Sequence, residues 1–76
     1  MANGNISKAA RAKPLALRLV RKAALFSQEH LAGRVGSSQP EISRIENGTR
    51  RATPAQQVAI ARALGTSVAA LFEVER

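Results

Sequence analysis

The stretch 37–48, SSQPEISRIENG, gathers three serines, a glutamine, a proline and an arginine around two isoleucines. At helical spacing Ile42 and Ile45 fall on one face, leaving Gln39, Pro40, Glu41, Ser43 and Arg44 for solvent or a ligand. A Gln amide carries donors and an acceptor side by side, and an Arg guanidinium is a planar fork of donors with no acceptor. Those shapes match the donor–acceptor pair of adenine and the two acceptors of guanine in a duplex major groove, and Pro can rest on a thymine methyl. Gln39, Pro40 and Arg44 are therefore candidates for contacting base edges. Arg44 has a second option, an ion pair with Glu41 three residues earlier. Catalysis has no comparable support: the chain has no Asp, no Cys and a single His, so neither a triad nor a zinc-ligand set can be assembled. His30 reads as an exposed helix residue. No enzymatic activity, metal or cofactor is expected.

The elements that position these groups are legible from their punctuation. Pro14 pushes Lys13 away from helical geometry, so helix one is expected over roughly 14–24, with Leu17, Val20 and Ala24 inward and Arg18 and Lys22 outward. Ser27 is an N-cap for QEHLAGRVG, where Leu31, Ala32 and Val35 form the apolar stripe and Gly36 ends helix two in the left-handed conformation. Ser38 and Glu41 stand in the S-x-x-E relation of a capping box at the head of helix three, about 39–46, which Asn47-Gly48 terminates. Thr53 and Gln56 repeat that relation. With Pro54 first and Gly65 last, they delimit helix four over PAQQVAIARAL. Ser67 caps VAALFEVE, a fifth helix. Residues 1–13, basic and weakly apolar, read as a flexible arm ahead of a domain spanning 14–76.

Composition agrees with an all-α fold, since Ala and Leu abound and the only aromatic residues are Phe26 and Phe72. At 76 residues this is one domain, and a chain this small buries only about 60% of its unfolded surface, so the core is modest. The net charge of +7 is concentrated. Residues 1–51 hold ten Lys or Arg against Glu29, Glu41 and Glu46, whereas 52–76 balance Arg62 and Arg76 with Glu73 and Glu75. Such a field attracts polyanions, nucleic acid or an anionic membrane. No apolar run approaches the roughly 20 residues of a membrane span, and Arg18 interrupts PLALRLV, which argues against a signal peptide. A soluble cytoplasmic protein without membrane partners is expected.

Helix two, a turn containing Gly36, and helix three form a helix-turn-helix, whose second helix enters a major groove while the first crosses the backbone. In the exposed basic loop TRRA, Arg50 and Arg51 suit phosphate contact. Lys8, Arg11 and Lys13 are candidates for contact from the arm.

SQEHLAGRVG, SQPEISRIENG and ARALGTSVAAL occur here in an order and at a spacing that resembles the Cro/C1-type (XRE-like, lambda-repressor-like) helix-turn-helix regulators over about residues 15–72. The resemblance implies a compact five-helix domain, a double-stranded DNA operator as partner and a two-fold homodimer, in a bacterial or phage-encoded regulator. By position it implies that Gln28 contacts a phosphate and braces the recognition helix, and that Ser38, Asn47, Thr49 and Arg50 contact the DNA backbone. It also implies that Arg21 and Glu46 form a structural ion pair between helices one and three. The sequence departs from the family pattern at Leu25, where Gly is common, at Pro40, and at Ala52, where a loop Pro is frequent.

Val68, Leu71, Phe72 and Val74 are divided between closing the monomer core and pairing two copies. A dimer sets two recognition helices about 34 Å apart on a palindromic operator. The expected function is transcriptional regulation, most simply repression by occupying a promoter. The rival is a protein-interaction module, such as an antitoxin facing a toxin, with the arm and residues 68–76 as its contact surface.

Overall fold

The computed structural model describes residues 8–73, and they form five helices: α1 (Ala16–Ala23), α2 (Gln28–Val35), α3 (Gln39–Asn47), α4 (Pro54–Leu64) and α5 (Val68–Leu71). The domain is all-helical; two isolated β-bridges are the sole β-type pairing among the described residues.

The helix starts follow their caps. Ser27, Ser38, Thr53 and Ser67 each adopt extended backbone and accept a hydrogen bond from the amide three residues on, satisfying a donor that has no intrahelical partner. At α4 the capping box is complete: Thr53 Oγ1 accepts from the Gln56 amide at 3.1 Å, and the Thr53 amide donates to Gln56 Oε1 at 2.9 Å. At α3 it is only half made. Ser38 Oγ accepts from the Glu41 amide at 3.3 Å, while the Glu41 carboxylate is drawn elsewhere.

Three boundaries differ from the sequence reading. α1 begins at Ala16, because Pro14 and Leu15 form a turn in which Leu15 takes a left-handed φ of 65°. α3 continues through Asn47. α5 stops at Leu71, because Phe72 swings to extended backbone and pairs with Ala12.

That pairing also revises the arm. Residues 8–13 are docked, not free: Ala10 exchanges backbone hydrogen bonds with Ala52 at 2.9 and 2.8 Å, and Ala12 bridges to Phe72. The Lys13 amide donates to Leu71 O at 2.8 Å, and the Glu73 amide donates to Arg11 O at 2.9 Å. Ala10 and Ala12 are buried, so this segment is part of the domain. Residues 1–7 of the expected arm lie outside the described residues.

The core unites Leu17 of α1, Leu31 and Ala32 of α2, Ile42 and Ile45 of α3, Ile60 and Ala61 of α4, and Leu71 and Phe72. Buried among them is Gln57, whose Nε2 donates to Lys8 O and to Ala52 O, both at 2.9 Å. A buried amide is tolerable only when so partnered; here it joins the N-terminal segment to the loop before α4.

Candidate nucleic-acid interface

α2 ends at Gly36, whose φ of 73° lets the chain reverse and whose amide donates to Ala32 O. A β-carbon in that conformation is disfavoured. The Ser37 amide also returns to Ala32 O, at 2.8 Å, so the turn is tied to the body of α2. Ile42 and Ile45 are fully buried, which fixes the rotation of α3 and leaves Gln39, Pro40 and Arg44 exposed.

A polar relay runs from the interior to the first residue of α3. The Arg21 guanidinium, on α1, pairs through Nε with Glu46 Oε2 and through Nη2 with Glu46 Oε1 at 3.3 Å. Its Nη1 donates to Phe26 O at 2.7 Å, tying down the turn into α2. Glu46 Oε1 also accepts from Gln28 Nε2 at 2.9 Å, and Gln28 Oε1 accepts from Gln39 Nε2 at 2.7 Å. The order of donors is forced. A carboxylate can only accept, so Gln28 must turn its NH2 to Glu46, and its oxygen then takes an N–H from Gln39. Gln39 keeps Oε1 and a second N–H, the acceptor and donor that adenine requires. The ion pair that the resemblance implied is thus present, and the brace at Gln28 is a hydrogen bond to Gln39.

Among the described residues no hydrogen bond or ion pair engages the Arg44 guanidinium. Its alternative partner is committed elsewhere: Glu41 Oε2 accepts from Arg50 Nη2 at 2.9 Å and from Gln56 Nε2 at 2.8 Å. Neither of those contacts is announced by local spacing.

The groups considered for the DNA backbone are differently placed. Ser38 and Gln28 flank the head of α3, and Asn47 closes its last turn. Thr49 spends both its donors internally, its amide and hydroxyl meeting Arg44 O at 3.0 and 3.2 Å, so in this arrangement it has none to spare for a phosphate. Arg51 is exposed in the loop, as is Arg50 apart from its ion pair. Arg11 packs over Gly48: a β-carbon there would lie 3.7 Å from Arg11 Cδ. The docked segment therefore delivers Arg11 to the C-terminal end of α3, a side-chain location with no sequence signal. Lys13 is placed instead beside the end of α5, and Lys8 beside Gln57.

The proposed pairing surface is corrected. Leu71 and Phe72 are fully buried within one copy and cannot form an interface without unfolding. Val68 is half-buried against the same core, and Val74 lies outside the described residues.

A helix, a turn closed by a left-handed Gly, and a second helix with Gln and Arg on its outer face define a helix-turn-helix domain of the DNA-binding kind. The family model described as a helix-turn-helix domain matches residues 15–73. The chain belongs to that family, in agreement with its resemblance to the Cro/C1-type regulators. Compared with curated proteins, it has no match. Among the described residues no helix is long and apolar enough to cross a membrane.

Proposed function

We propose that the chain is a sequence-specific regulator that seats α3 in the major groove of a palindromic operator, as a homodimer, and represses transcription by occupying promoter DNA. The observation that carries this reading is the relay from buried Arg21 and Glu46 through Gln28 to Gln39, with the Arg44 guanidinium unengaged five residues further along the helix. Holding an exposed amide in one orientation costs side-chain entropy. Ordering Gln39 before binding reduces what must be ordered on the DNA.

Gln39 and Arg44 read bases, with Pro40 against an apolar base edge. Gln28, Ser38, Asn47, Arg50, Arg51 and Arg11 face the phosphates of the same site. Supporting this reading, the excess positive charge is confined to the part of the sequence that supplies these groups.

Selection from a random duplex pool at about 150 mM salt, where phosphate attraction is screened, tests the proposal. A palindrome with half-sites about 10 base pairs apart is the expected product. Arg44→Ala then costs about 1–3 kcal/mol on that site and relaxes selection at one base pair per half-site. Equal losses on selected and random DNA would remove Arg44 from base reading, and a pool without enrichment would remove sequence-specific binding.

A further inference from the structure

Glu41 is an acid on the helix assigned to the groove, where it opposes phosphate. Its sequence context explains it as half of a capping box, but its carboxylate does not serve the head of α3. It reaches to α4, where Oε2 accepts from Gln56 Nε2 at 2.8 Å. Gln56 cannot follow Glu41 outward, because its own oxygen and amide are held by Thr53 in the completed box. The same Oε2 accepts from Arg50 Nη2 at 2.9 Å, and the Glu41 side chain is 23% exposed against 47% for Arg50. The acid is the anchored partner and the arginine the more exposed one.

We propose that Glu41 is a specificity-determining residue that acts through Arg50. It keeps the Arg50 guanidinium partly neutralised, so that sequence-independent phosphate attraction is held down and base contacts decide which DNA is retained. The inference rests on the DNA-binding reading above. Affinity for random duplex comes almost wholly from phosphate neutralisation, so a pinned carboxylate beside a loop arginine penalises that mode most. On the operator, base contacts add to affinity, and Arg50 shared between carboxylate and phosphate keeps a fixed direction. An arginine has donors enough for both, since its planar fork carries five N–H groups.

Glu41→Gln is the informative substitution, because the amide oxygen still accepts from Gln56 while the charge is gone. Binding of the 76-residue wild type and variant to the selected operator and to a random duplex is measured across salt concentration, with thermal melting to check the fold. The variant is expected to bind random duplex several-fold tighter. Its plot of log affinity against log salt becomes steeper by about 0.9, the increment for one more neutralised phosphate. The operator-to-random ratio falls. Arg50→Ala provides the second arm: on random duplex it weakens the Glu41→Gln protein more than it weakens wild type, a non-additivity that a double-mutant cycle isolates. An unchanged random-duplex affinity, an unchanged ratio or an additive cycle each overturns the inference. Wild type that binds no duplex at all overturns the DNA-binding reading itself, which is distinct from wild type that binds while the variant fails to respond.

Discussion

Leu25 is 89% exposed and sits at φ 64°, a left-handed backbone that its side chain does nothing to repay through packing. The helix-turn-helix resemblance favours Gly at this position, and the backbone keeps the geometry that Gly would adopt. Left-handed backbone costs an L-residue about 1–2 kcal/mol, and Gly returns part of that gain through its greater freedom in the unfolded chain. Leu25→Gly is therefore expected to raise stability by about 0.5–1 kcal/mol, read as a higher urea midpoint at unchanged slope. The other single residues were unequally legible. Gln39 and Arg44 could be assigned to the outer face because Ile42 and Ile45 fix the helical phase. The partners of Glu41 could not, since S-x-x-E announces a local bond, whereas Arg50 and Gln56 reach it only after α3 and α4 have packed. Gln57 stands within a helix that reads as amphipathic, and burial of its amide depends on carbonyls from two other segments.

Helices with strong punctuation were the most legible elements: Thr53, Pro54, Gln56 and Gly65 bound α4 by chemistry within a few residues of each end. Residues 8–13 carry no strand-like alternation, and what fixes them is distant backbone, at Ala52 and at Phe72. Small side chains let the paired segments approach, and Ala10, Ala12 and Ala52 are all buried. The pairing also accounts for the departure at Ala52. Its amide donates to Ala10 O at 2.8 Å, a bond that the loop Pro frequent in the family cannot make. Ala52→Pro is expected to lower stability by about 1–3 kcal/mol, the cost of leaving a buried acceptor unsatisfied, detected as a lower melting temperature. A neutral or stabilising result would show that the bridge to Ala10 contributes nothing.

For the whole molecule, the burial of Leu71 and Phe72 removes both side chains from any contact between copies, while a net charge of +7 sets copies against each other in solution. On the function proposed above, the DNA is what neutralises the charge and holds two copies side by side. Sedimentation at low micromolar concentration is expected to show a monomer, and addition of palindromic duplex a complex of two copies; a stable dimer without DNA would contradict this. The same closing of the domain has a consequence for how the protein is made. Ala12 leaves the ribosome ahead of all five helices of the described residues, and its partner Phe72 follows only after them. Each helix can form from neighbours already emerged, but Arg11 cannot be held over Gly48 by these bridges until the last of them is out. A nascent chain interrupted within α4 or α5 would carry a complete α3 without the contact at its far end. The clasp over the far end of α3 is thus set only when the domain is finished.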